Sequence, residues 1–170
     1  AAVGLVQLPP LFPKLPYDPV KDFKALTQIA EVATALAVPA DLPPKSVKEL
    51  ADWLRANPGK TSYASLGQAS TGHIYGEAFK RVAKADTAHV PYKGDAPAMT
   101  DLMSGRVNYF FNNPVSVIAQ AKGGKVRALA VTGDARLAAL PDVPTMAQAG
   151  FPGFETVGWF AFFVHAKVPR

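Results

Sequence analysis

The residues best suited to chemistry form one loop, Ser65-Leu66-Gly67-Gln68-Ala69-Ser70-Thr71-Gly72-His73. Glycine and small side chains let a backbone approach a ligand closely. The loop leads into a predicted helix, where free N–H groups and the helix dipole favour an anion by roughly 0.3–1 kcal/mol. Ser70 and Thr71 add hydroxyl donors at that helix start, although a serine there is equally suited to capping the helix. The phosphate-loop pattern G-x-x-x-x-G-K-S/T is absent. A second segment, Tyr92-Lys93-Gly94-Asp95, offers the Lys93 ammonium to a carboxylate, or simply to solvent. Asp95 is expected to cap the next helix; turned toward the same cleft, it would repel an anion and attract an amine. His73 and His89 have the chemistry of acids or bases, and equally of hydrogen-bonded structural residues. With His165 they show no metal-ligand spacing, and no G-x-S-x-G elbow, H-E-x-x-H pair or EF-hand loop occurs. The aspartates are scattered, and nothing requires an enzyme.

The elements around these loops alternate. Apolar, β-friendly runs predict strands at Leu26–Ile29, Thr34–Val38, Lys60–Ala64, Thr87–Val90, Val107–Phe111, Val126–Val131 and Phe160–Val164. Ser46 with Glu49 makes a capping box for a helix through Ala56, with Val47, Leu50, Trp53 and Leu54 on one face. Further helices are expected at Thr71–Ala83, at Ala96–Ser104 behind Asp95, at Val115–Lys122 before Gly123-Gly124, and briefly at Thr145–Ala149. Strands alternating with helices across short loops indicate an α/β fold with a mostly parallel, doubly wound sheet. Ligands of such sheets sit at the carboxyl ends of the strands. That rule selects Ser65–Thr71, Pro91–Asp95, Asn112-Asn113 and Thr132-Gly133, expected to converge on one edge.

Composition narrows the function classes. The chain has 170 residues, 49% of them hydrophobic and 18% charged. A chain of this length buries roughly 70% of its unfolded surface, enough for a core without metal or disulfide. It has no cysteine, which removes thiol catalysis, iron–sulfur clusters and disulfide frameworks. A formal charge of +5 suits an anionic ligand and is weak evidence for nucleic acid. No apolar run reaches the roughly 18 residues of a membrane span, and Ala1–Gln7 shows no basic signal-peptide start. Pro9, Pro10, Pro13, Pro16 and Pro19 make the first 22 residues irregular. The late aromatics Phe151, Phe154, Trp159, Phe160, Phe162 and Phe163 read as core, or as an exposed patch that meets another body.

Several strings together resemble one family: Leu15-Pro16-Tyr17-Asp18-Pro19-Val20, Pro58-Gly59-Lys60-Thr61-Ser62-Tyr63-Ala64-Ser65, His89-Val90-Pro91-Tyr92-Lys93-Gly94, Arg127-Ala128-Leu129-Ala130-Val131-Thr132, Pro141-Asp142-Val143-Pro144-Thr145 and Gly150-Phe151-Pro152-Gly153-Phe154-Glu155. In this order they resemble the Bordetella uptake gene family, periplasmic solute-binding receptors of tripartite tricarboxylate transporters. The resemblance implies a two-lobed receptor that closes on a small organic carboxylate and passes it to membrane transporter subunits, with no cofactor, metal or catalysis. The chain resembles the second lobe: residues 1–38 as a crossover segment from the first, 39–158 as the lobe, and 159–170 as the return crossover. A lobe without its partner is expected to bind weakly and to self-associate through an exposed apolar surface. The ligand-binding set so implied is Ser65, Gly67, Gln68, Ala69, Ser70, Thr71, His73, Tyr92, Lys93 and Asn112. Gln68, Ala69, Leu66, Asp95 and Asn112 depart from the residues usual there, which bears on the ligand's identity more than on the fold. Two other classes remain open: an α/β enzyme on a carboxylate with His73 or His89 as base, and an interaction module using the late aromatics.

Overall fold

The computed structural model describes Pro9 and residues 14–169. The expectations for Ala1–Gln7, Pro10 and Pro13 lie outside the described residues. Residues 14–22 are turns and bends, as their prolines require. The chain divides into two compact units, residues 1–32 with 158–170, and residues 33–157.

In the larger unit, five strands are β2 (Ala35–Pro39), β3 (Thr61–Ser65), β4 (Thr87–Pro91), β5 (Tyr109–Asn112) and β6 (Val126–Val131). Four helices are α1 (Val47–Ala56), α2 (Thr71–Ala83), α3 (Asp95–Met103) and α4 (Pro114–Lys122). The sheet order is β4-β3-β5-β2-β6. β3 runs parallel to β4 and β5, whereas β2 runs antiparallel to both β5 and β6. The sheet is thus mostly parallel with one reversed strand. That strand belongs inside the sheet rather than to a crossover segment ending at residue 38, because all five of its residues are buried. A strand apolar at every position needs cover on both faces.

Period-two alternation splits the core. Leu36, Tyr63, Tyr109 and Phe111 face the side packed by Leu50 and Leu54 of α1 and Phe79 of α2. Ala35, Ala37, Ala64 and Phe110 face the side packed by Ala98 and Leu102 of α3 and Val117 of α4. Helices therefore cover both faces, with aromatic bulk on one and mostly alanine on the other. Ser46 caps α1 as expected, accepting Glu49 N–H at 3.2 Å, while the Glu49 carboxylate reaches back one residue further than a capping box requires and accepts Lys45 N–H at 2.9 Å. Arg127 donates to the carbonyls of Ala40, Leu42 and Pro44 and so fixes the β2–α1 connection.

The short helix expected at Thr145–Ala149 is instead a turn. Thr145 bridges to Val131, and Met146 N–H donates to the Val131 carbonyl at 2.8 Å. Pinning this start to β6, and ending it at Gly150 with φ +89, leaves room for one turn only.

The smaller unit is a two-stranded antiparallel ribbon of β1 (Phe23–Val32) and β7 (Gly158–His165), with two register irregularities. Leu26, Ile29, Phe160 and Phe162 on it are exposed, whereas Phe154 of the larger unit is buried and Phe151 packs against the core. The late aromatics thus divide between the two roles expected of them. Among the described residues, no helix is long and apolar enough to cross a membrane.

Helix α2 seats on the sheet through glycine. A Cβ on Gly76 would stand 2.2–2.8 Å from ring atoms of Tyr63, a fully buried residue. Replacing Gly76 by Ala should therefore destabilise the fold by about 1–3 kcal/mol, the usual range for overpacking. Chemical denaturation checks this, and an unchanged midpoint would show that the Tyr63 ring has room to move.

Candidate functional site

The parallel strands β3, β4 and β5 end on one edge of the sheet, where α2, α3 and α4 begin. Ser65, the last residue of β3, lies between its neighbours. Tyr92 N–H donates to the Ser65 carbonyl at 2.8 Å, tying the β4 loop to the β3 loop. On the other side, a Cβ on Gly72 would stand 2.6 Å from the Phe111 carbonyl, so only glycine lets the start of α2 rest on β5.

The loop between β3 and α2 is braced from within. Ser65 is fully buried; its hydroxyl donates to the Gly67 carbonyl at 3.0 Å and accepts Gly67 N–H at 3.1 Å. His89 Nε2 reaches the same oxygen at 2.6 Å. Ser70 is the N-cap of α2: it accepts His73 N–H at 3.3 Å and donates its own hydrogen to the Gly67 carbonyl at 2.8 Å. Ala69 adopts a left-handed conformation, φ 61, and its N–H donates to His73 Nδ1 at 3.1 Å. A residue with a Cβ is uncommon in that region, and such strain gathers at functional loops.

This bracing decides which donors remain. The N–H groups of Gly67, Ala69, Ser70 and His73 are spent inside the loop. Thr71 and Gly72 occupy the first two helical positions, where a helix supplies no acceptor for N–H. Their two N–H groups find no partner inside the loop; Thr71 is partly buried and Gly72 buried. Ser70 is the cap rather than a hydroxyl donor to a ligand, because its hydrogen is already given to Gly67.

Behind the loop stands a column of rings. His73 stacks on His89 with centroids 4.1 Å apart, His89 on Tyr63 at 5.0 Å, and Tyr63 on Tyr109 at 5.2 Å. Burial first, and the neighbouring His73 second, hold the His89 imidazole below its usual range. Sequence reasoning left His89 outside the ligand-binding set. It reaches the loop because Tyr63 pairs with His89 across β3 and β4, a register that no local pattern reveals.

The other expected residues separate. Gln68 and Lys93 are exposed. The Tyr92 hydroxyl donates to Asp101 Oδ2 at 2.8 Å, and burial pushes that phenol up to about 12. Tyr92 thus joins the site through its backbone alone. Asp95 does not cap α3, whose cap is Gly94. Its carboxylate instead accepts from the Asn112 amide and, at 2.7 Å, from the Ser116 hydroxyl at the start of α4. Asn112 is buried, and its amide nitrogen donates to Asp95. Asn113 caps α4, accepting Val115 N–H at 2.9 Å. The Thr132 segment does not converge with the rest. Thr132 is fully buried, its Oγ1 accepts Thr34 N–H at 2.8 Å, and β2 lies between β6 and the other strand ends.

Ser65 and His89 have the separation of a nucleophile and its base, a pair the sequence does not reveal. The serine is sealed from solvent, its proton is donated to Gly67, and no carboxylate hydrogen-bonds His89 among the described residues. The pair is structural. Among the described residues, no group of three His, Asp or Glu side chains could hold a metal. A cavity of about 380 Å3 lies beside the far end of α2, between Arg55, Lys84 and Phe151, and no loop residue lines it.

Known proteins match the chain throughout. It is 33% identical to BugT of Bordetella pertussis over 94% of this chain and 48% of that relative. A Rhodopseudomonas palustris protein, Rpa4515, solved with adipate, is 37% identical and superposes with TM-score 0.86, covering 93% of this chain and 53% of its own. MatC of the same organism, solved with bound malate, is 32% identical with TM-score 0.85, covering 99% and 55%. The chain spans about half the length of the curated relatives it matches. The model of the tripartite tricarboxylate transporter receptor family, TctC, covers residues 1–170, and the chain belongs to that family.

Proposed function

We propose that this chain is the anion-holding lobe of a periplasmic receptor that captures a small organic carboxylate for a tripartite transporter. The observation that carries this is the braced loop, which leaves the Thr71 and Gly72 N–H groups unspent at the carboxyl end of β3. A carboxylate there gains charge-assisted hydrogen bonds and the positive end of α2. The relatives solved with adipate and malate support this class of ligand. Periplasmic location follows from the family, whose structural neighbours include the periplasmic binding protein BugD.

In this reading the β1–β7 ribbon would carry the chain to and from a first lobe, and the membrane subunits of the transporter would be the downstream partners. The exposed Leu26, Ile29, Phe160 and Phe162 would drive self-association of the lobe alone, which light scattering at increasing concentration measures. Binding rather than catalysis is favoured because the nearest nucleophile–base pair is sealed. Lys93 serves as a long-range attractive charge at the rim.

Two expected outcomes test the reading, with adipate and malate titrated into the chain by NMR. Thr71→Ala should weaken binding by about 0.5–1.5 kcal/mol if its hydroxyl makes a neutral bond, and by up to about 3 kcal/mol to a charged oxygen. Thr71→Pro removes a backbone donor at a position where helices accept proline, so binding should fall with the circular dichroism spectrum unchanged. Unchanged affinity in both variants would move the site away from this loop. Asp95→Ala strands the buried Asn112 amide and should lower stability by about 1–3 kcal/mol in chemical denaturation. An unchanged midpoint would show that Asn112 finds another acceptor.

A further inference from the structure

We propose that His73 is the positioning residue of the anion-binding loop: its neutral ring holds Ala69 in the left-handed conformation and so aims the Thr71 and Gly72 N–H groups, without touching the ligand. This inference rests on the carboxylate reading for its consequence, and on the loop geometry alone for its cause.

The hydrogen-bond inventory sets the ring's state. Ala69 N–H can only donate, and it points at His73 Nδ1 from 3.1 Å. Nδ1 therefore carries a lone pair, and the ring is the neutral tautomer with hydrogen on Nε2, as assigned from this network. A protonated ring would set N–H against N–H and release the peptide. The bond matters because Ala69, with a Cβ and φ 61, occupies a conformation that its surroundings must enforce. Ala69 is also only two residues before the first unspent donor.

The ring itself cannot drift. Its backbone is the third helical position, held by the Ser70 cap, and one face lies on His89. His89 is held in turn by Tyr63 below and by Ser65 at its Nε2. Ser65 Oγ is within hydrogen-bond distance of both the Gly67 carbonyl, at 3.0 Å, and His89 Nε2, at 2.6 Å. The groups around the pair are Tyr63 from β3, and Glu77 and Lys80 from α2, with Glu77 accepting the Tyr63 hydroxyl at 2.6 Å. No carboxylate hydrogen-bonds either imidazole among the described residues.

A direct ligand contact through Nε2 is the competing role, and side-chain length separates the two. Asparagine places an acceptor near the Nδ1 position, and glutamine places its polar end near Nε2. The experiment uses the isotope-labelled chain, with adipate as the probe, and compares wild type, His73→Asn, His73→Gln and His73→Ala. Ring-nitrogen shifts should report an unprotonated Nδ1 at neutral pH, and the Ala69 amide should move in His73→Ala far more than in His73→Asn. The Kd for adipate should rise about 3- to 10-fold in His73→Ala, the loss of one hydrogen bond, and stay near wild type in His73→Asn. Binding kept by Gln and lost by Asn, or an Ala69 amide indifferent to His73→Ala, would overturn the positioning role. Wild-type protein that ignores adipate and malate, with the tautomer and Ala69 results intact, would overturn the carboxylate reading alone.

Discussion

Parallel pairing is the constraint on which the site depends. Two parallel strands cannot be joined by a tight turn; the chain must cross back, and here it does so through α2 and α3. Each crossover begins at a strand's carboxyl end. Parallel β3, β4 and β5 therefore place the starts of α2, α3 and α4 on one edge, with their unsatisfied N–H groups together. Asn113 accepts Val115 N–H at the start of α4, whereas α3 has no side-chain cap and the Asp95 carboxylate at its start braces Asn112 and Ser116. The start of α2 keeps the Thr71 and Gly72 N–H groups without a partner inside its own braced loop. Reversed β2 does not disturb this, since it lies on the far side of β5.

Packing makes the arrangement stiff. Gly72 and Gly76 bring α2 against the Phe111 carbonyl and the Tyr63 ring, closer than any side chain would allow. Below that contact the stacked His73, His89, Tyr63 and Tyr109 run from the loop into the core. The loop is thus anchored at both ends, by Ser65 to β4 and by Ser70 to its own helix. A preorganised loop keeps more of its binding energy, because it loses less conformational freedom when a ligand arrives.

The same edge carries opposing charges in separate roles. Asp95 is a carboxylate at this edge, and both of its oxygens are occupied by neighbours. Asp101 is likewise engaged, by the Tyr92 phenol and by Arg106 at 2.9 Å, and these bonds hold it below the usual carboxylate range. Engaged carboxylates repel an incoming anion less than free ones, and Lys93 stands exposed beside them.

Much of this was legible in the sequence. Alternating apolar runs and cap residues placed nearly every strand and helix, because hydrophobic period and capping are local properties. Gly67, Ser70 and Thr71 marked the loop, since glycine and small hydroxyl residues before a helix point to one structural use. The Thr145 segment was misjudged as a helix because its pinning to Val131 is not local. Asp95 was misjudged as a cap because its partners Asn112 and Ser116 lie 17 and 21 residues away. His89 entered the site only through strand register, and Thr132 left it only through strand order. The sequence by itself determined most of the elements, the family and the small-residue loop that opens α2. Tertiary structure decided which donors of that loop stay free, because hydrogen bonds are allotted between residues that only the folded sheet brings together.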